Sequence, residues 1–140
     1  MDATLTARLI DTLVRTARNR SVLPYSRFHA LFPSNTPLTA RNAILDEALR
    51  TICHEQDGDY GVLLARDNGL PGPDFFRRYR VNRRTEYTGL VGDPRYHNAT
   101  MKQQRLIVTA ERDRVYEHAA KHVRDRVKPA ESARYAVNGF

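Results

Sequence analysis

Glycine and proline divide this chain into three parts, and no other feature constrains its fold as much. Residues 1–56 contain no glycine, residues 58–92 hold six of the seven, and residues 95–138 contain none. Long helices exclude glycine and turns recruit it, so the pattern predicts helical ends around a strand-and-loop middle. At 140 residues the chain suits one domain with a real core. An apolar fraction of 41% supplies that core, and 28% charged residues supply its water-facing surface.

Apolar periodicity places the helices. Leu5, Leu9, Leu13 and Ala17 recur at i+4 with Ile10 and Val14 beside them, predicting an amphipathic helix from about Ala3 to Asn19 capped by Asp2 or Thr4. Val22 and Leu23 then suit a short strand, and Pro24 a short helix with Phe28, Leu31 and Phe32 on its apolar face. After the SNTPL turn, Thr39 is a good N-cap for a second long helix reaching about Gln56. Its stripe is Ile44, Leu45, Ala48, Leu49, Ile52 and Cys53.

The middle reads differently. Val62–Ala65 predicts a buried strand, and DNG followed by LPGP a bend that denies ladder hydrogen bonds. Phe75 to Val81 suits either a short helix begun by Asp74, with Phe75 and Tyr79 on one face, or the return strand of a hairpin. The spacing leans to the helix. Residues 85–100 read as a loop with one short strand at most. A last helix is predicted from a Thr109 cap to about Val127, with Val115, Ala119, Val123 and Val127 as its stripe, and residues 129–140 read as a frayed tail.

Charge is concentrated in one place. The net charge is +7, and five positive charges with no acid lie between Phe75 and Arg84. Such a patch points to a polyanion or an acidic partner. Arg77, Arg78, Arg80, Arg83 and Arg84 are therefore candidates for phosphate contact, and Tyr79 for stacking on unpaired bases. Twenty of the 23 basic residues are arginine, the side chain whose fork suits phosphates and base edges.

The element order is helix, short strand, short helix, turn, longer helix, then strand, bend and basic segment. It resembles a winged helix-turn-helix over about residues 3–84. The resemblance implies that Phe28–Phe32 is the second helix, Asn42–Gln56 the third, and Val62 onward the wing. It further implies that the third helix enters a DNA major groove, with Arg41, Asn42 and Arg50 at groove-facing positions. Arg77, Arg78 and Arg80 match the wing region. The GLPGPDFF run with the later ERDRVY segment also resembles bacterial proteins of this general shape, a likeness that brings no activity with it.

No complete catalytic motif is present. His118 and His122 have metal-holding i, i+4 spacing, but EHAAKH is not the HExxH signature and Lys121 opposes a cation. Cys53 and His54 are adjacent on a helix and point about 100° apart, so they form no nucleophile–base pair. The GLPG loop lacks the Lys-Ser/Thr of a phosphate-binding loop. Asp57, Asp59, Asp74, Glu86, Asp93, Glu111 and His97 offer nuclease-type donors without a recognisable spacing.

No apolar run approaches the roughly 18 residues of a membrane span. The start MDATLTARLI is not a secretory signal, and a single cysteine fits a reducing compartment. The expectation is a cytoplasmic, mainly α protein with a small β element. It is winged-helix-like over residues 1–128, with an added C-terminal helix at about 109–127. It binds nucleic acid, DNA before RNA, with no cofactor, metal or membrane, and the first and last helices are its natural dimer interface. The alternatives, in order, are docking of an acidic protein through the same patch and a metal-dependent nuclease.

Overall fold

The computed structural model describes residues 3–123. They form a mainly helical protein with one two-stranded parallel sheet, the class that the glycine pattern predicts. Helix α1 (Ala3–Arg18) buries Leu9, Leu13, Val14 and Ala17, the expected stripe. It ends with Arg20 in the left-handed region at φ 51°. The N–H groups of Arg20 and Ser21 return to the carbonyls of Ala17 and Thr16, closing off the last turn.

Strand β1 (Leu23–Pro24) leads directly into helix α2 (Tyr25–Ala30). Proline tolerates this position because the sheet is only two strands wide, with Leu23 opposite Leu64 and Pro24 opposite Ala65. Helix α3 (Leu38–Ile52) buries Ile44, Leu45, Ala48 and Ile52. It starts after Pro37 rather than at Thr39, with no side-chain cap. It stops four residues before Gln56 because Cys53 turns extended at φ −164°, its thiol donating to the Gly58 carbonyl.

The predicted strand Val62–Ala65 is mostly something else. Asp59 accepts from the Gly61 N–H and caps a 3-10 turn, Tyr60–Leu63, which leaves only Leu64–Ala65 as strand β2. β2 pairs with β1 and not with a strand from 75–81. Its exit turns through Gly69 at φ 85°, and Arg66 N–H closes onto the Leu70 carbonyl.

Helix α4 (Pro73–Asn82) follows, so the helical reading of Phe75–Val81 holds. Pro73 suits the first helical turn, Asp74 favours its positive end, and Phe75 and Tyr79 are buried on one face. Residues expected as loop form helix α5 (Arg84–Leu90), anchored by buried Tyr87, whose hydroxyl donates to the His97 carbonyl. Its Thr and Gly content suggested a loop, but one buried ring and one tertiary hydrogen bond hold it helical. Gly92, at φ 117°, then reverses the chain where an added Cβ would lie 2.8 Å from the His97 ring.

Helix α6 (Met101–His118) begins eight residues before the expected Thr109 cap. Thr100 accepts from the Gln103 N–H while the Gln103 side chain accepts from the Thr100 N–H, a capping box that outranks Thr109. A π-helical turn, Ala119–Val123, continues it. The expected helix end near Val127 and the tail at 129–140 lie outside the described residues.

All six helices and both strands contribute to one apolar cluster, in which α1 packs on α3 and α6 packs behind the 3-10 turn. Arg112 of α6 secures this junction by donating to the Val62 and Gly69 carbonyls. No helix among the described residues is long and apolar enough to cross a membrane.

Candidate nucleic-acid interface

The five arginines of the basic segment divide into two populations. Arg83 sits at the corner between α4 and α5 and turns inward. Its Nε donates to Glu111 Oε1 at 2.7 Å, and Glu111 is only 1% exposed. Arg114 Nη1 reaches the same oxygen at 2.8 Å, and the Asp59 N–H donates to Oε2 at 2.9 Å. Arg78 holds Asp59 through two hydrogen bonds, at 2.7 and 3.2 Å. Gly61 leaves room for this pair, since a Cβ there would push the Arg78 guanidinium from its place on Asp59. Arg78 and Arg83 thus tie α4 to the 3-10 turn and α6.

Tyr79 is also committed. It is 5% exposed, and its hydroxyl donates to Glu86 at 3.0 Å. Glu86 in turn accepts from Arg114, extending the network from α4 through α5 to α6. Burial, then the Glu86 bond, push the Tyr79 hydroxyl up to about 12. Hydrogen bonding to Arg114 holds the Glu86 carboxyl below its ordinary value. Among the described residues no buried side-chain nitrogen or oxygen lacks a hydrogen bond. A ring placed this way is closed to a nucleobase, which corrects the stacking role expected of Tyr79.

Arg41 does not face a groove either. Its guanidinium turns back on the α2–α3 connection, donating to the Thr36 carbonyl at 2.9 Å and, at 3.4 Å each, to those of Pro33 and Ser34. It also contacts His29 Nδ1 at 3.2 Å and lies over the Phe32 ring. Burial, then the Arg41 charge, hold His29 below its ordinary pKa, and because a guanidinium can only donate, Nδ1 is the acceptor of this bond. Arg41 thus clamps the connection between α2 and α3.

The other predicted residues stay on the surface, and the fold brings three of them together. Asn42 and Arg50 of α3 and Arg77 of α4 line one groove of about 660 Å³ between the two helices. Leu45 and Leu49 contribute apolar surface to it. Asn42, Asp46 and Arg50 recur every four residues and are exposed on one side of α3. Arg50 pairs with Glu47, and Arg77 with Asp74, both as exposed pairs of little energetic weight.

Four carboxylates of the groove, Asp46, Glu55, Asp59 and Asp74, face three guanidiniums, those of Arg50, Arg77 and Arg78. Its floor is therefore not cationic, and excess positive charge lies outside it. Arg80, half-buried, and exposed Arg84 make no hydrogen bond or ion pair among the described residues. Next to them Val81 is 74% exposed.

A second cleft, of about 690 Å³, is lined by Cys53, Asp57, Asp113, Glu117, His118 and His122, among others. The His118 and His122 rings lie 5.0 Å apart, and His118 Nδ1 is hydrogen-bonded to the buried Tyr60 hydroxyl at 2.8 Å. Among the described residues no three His, Cys, Asp or Glu side chains are arranged to hold a metal ion. Cys53 is half-buried rather than enclosed in the α3 stripe. The apolar stripes of α1 and α6 face the shared core, so a dimer through these helices would use their outward sides, on which α6 exposes Met101 and Leu106.

Sequence reasoning named Glu111 among possible metal-binding carboxylates and missed that this region is built around it. Glu111 falls on the α6 stripe of Ile107, Val108 and Val115, and a lone acid on an apolar stripe requires buried partners. That was its legible signal. No known protein family, curated protein or solved structure matches the chain.

Proposed function

We propose that the chain binds nucleic acid, duplex DNA first, through the outer edge of α4 and α5 together with the exposed side of α3. The observation that carries this reading is the division of the basic segment. The interior takes Arg78 and Arg83 and leaves Arg77, Arg80 and Arg84 facing water or only weakly paired. Exposed guanidiniums without strong partners suit phosphate contact, which supplies most non-specific affinity by counterion release. Asn42 and Arg50, which line the groove, are the side chains this reading assigns to base edges. The order α1, β1, α2, α3, β2 is compatible with a winged-helix-like shape; on this reading α3 serves as the recognition helix, and α4 takes the place in the chain where a wing strand would come.

A salt titration of DNA binding by fluorescence anisotropy tests this. Affinity is expected to fall steeply with salt. In the Arg77→Ala/Arg80→Ala/Arg84→Ala variant, the slope of log K against log salt should shrink by about 2 to 3. These positions lie outside the buried network, so the variant should keep the wild-type melting temperature. No binding to any duplex or single strand at about 50 mM salt would rule the reading out. The acidic-protein alternative would then inherit the patch.

A further inference from the structure

Burial of Tyr79 leaves open which aromatic side chain a nucleic acid would meet. Among the described residues Tyr96 is the one phenylalanine or tyrosine classed as exposed, with 75% of its surface open to solvent. It lies in the turn between α5 and α6, and several bonds hold its mount. The N–H groups of Tyr96 and His97 both donate to the Asp93 carbonyl, at 3.0 and 2.9 Å. The Asp93 carboxylate accepts from the Arg95 N–H and from its guanidinium, the shortest contact being 2.8 Å. That guanidinium lies over the Tyr96 ring, 5.4 Å from its centre. The Tyr87 hydroxyl, from a buried ring, fixes the far side of the turn at the His97 carbonyl.

An exposed ring on a braced turn can receive a flat partner at low ordering cost, since a tyrosine has only two side-chain torsions to fix. The surrounding charge suits a polyanion. Arg84 lies close enough to act on the Asp93 carboxylate, which Arg95 holds down to about 2. From Pro94 to Ala110 the chain carries Arg95, Lys102 and Arg105 and no acid. Those three basic side chains are all exposed.

We infer that Tyr96 is a stacking platform for an unpaired base, with Arg84, Lys102 and Arg105 supplying phosphate contacts to the same strand. The inference rests on the nucleic-acid reading and deepens it. Proteins that hold single strands without reading their sequence combine basic side chains along the backbone with aromatic rings on which bases stack, to which arginine adds cation–π contacts. Duplex DNA offers no such base, so the two substrates separate this role from general phosphate attraction.

The experiment compares a fluorescein-labelled oligo-dT strand with a duplex of similar length. Tyr96→Ala should weaken oligo-dT binding by roughly 5- to 150-fold and leave duplex affinity within about twofold. Tyr96→Phe should bind both as the wild type does, because stacking needs the ring and not the hydroxyl. Equal oligo-dT affinity for wild type and Tyr96→Ala overturns the inference. If the triple arginine variant still loses duplex binding in that case, the proposed function stands without it. A wild-type chain that binds neither strand nor duplex removes both. At so exposed a position the substitutions should leave the melting curves unchanged, which separates loss of binding from loss of fold.

Discussion

Glu111 shows what a single buried charge does to its neighbours. It accepts four hydrogen bonds, from Arg83 twice, Arg114 and the Asp59 backbone, and so draws Arg83 out of the surface patch to lie beside Arg114 of α6. Removing it leaves Arg83 and Arg114 facing a desolvated gap. Glu111→Ala is expected to destabilise the fold by about 3–5 kcal/mol, the cost of breaking a buried pair from one side. Arg80→Ala and Arg84→Ala should change stability by no more than about 0.5 kcal/mol. Urea unfolding of the three variants measures the contrast, and similar losses in all three would contradict the two-population view of the arginines. Four of the nine residues singled out from sequence, Arg41, Arg78, Tyr79 and Arg83, turn out to hold the fold together. Asn42, Arg50, Arg77, Arg80 and Arg84 remain available to a partner. Arginines of α3 and of the basic segment fall in both groups, so residue type alone had no means of separating them.

At the level of elements, helix ends decide most of the differences between expectation and structure. α6 starts at a Thr100–Gln103 box because two otherwise unbonded N–H groups are satisfied there at once, an advantage Thr109 lacks. Thr100→Ala should cost about 1 kcal/mol. α1 ends on a non-glycine residue in the left-handed region, which L side chains enter at a cost. Arg20→Gly should therefore stabilise the protein by about 1 kcal/mol. This gain would be offset in part by Arg20's loose contacts with Glu117 and the Tyr116 ring. Thermal melts of both variants give the signs, and a destabilised Arg20→Gly would mean that those contacts outweigh the backbone strain. The long helices were legible because burial of one stripe repeats every turn. α5 was not, because seven residues hold too few periods and its anchor, the Tyr87–His97 bond, is a tertiary contact.

Across the whole molecule, the Tyr79–Glu86–Arg114–Glu111 network joins α4, α5 and α6, and its pH response should be visible in global stability. Glu86 is held below its ordinary 4.5 in the folded state. Its contribution is thus full above about pH 4.5 and lost as pH falls through the lower folded value. Tyr79 is raised from 10.0 to about 12, so its contribution is full below pH 10 and lost as pH rises through about 12. Melting temperature should therefore fall at both extremes. Tyr79→Phe should blunt the alkaline fall without abolishing it, since burial also raises the Tyr116 hydroxyl. An alkaline limb identical in Tyr79→Phe and wild type would place the sensitivity elsewhere. The acidic network and the exposed arginines thus have separate tests, one in stability and the other in salt-dependent binding.

The sequence by itself determined the helical ends, the stripes of α1 and α3 and the existence of a basic segment, while the middle it marked as strand and loop proved largely helical. Each determined feature is a local consequence of glycine placement, periodicity or charge density, and local patterns survive without knowledge of the partner. Only the tertiary structure decided that β2 pairs in parallel with β1, that α4 rather than a strand follows the bend, and that Asn42, Arg50 and Arg77 line one groove. The same holds for the direction in which each arginine points. Arg78 and Arg80 are two residues apart and chemically identical, yet one meets Asp59, 19 residues away in sequence, and the other meets no hydrogen-bond or ion-pair partner among the described residues. A side chain's role is set by what the fold brings within hydrogen-bonding distance, and that distance is a property of the folded chain alone.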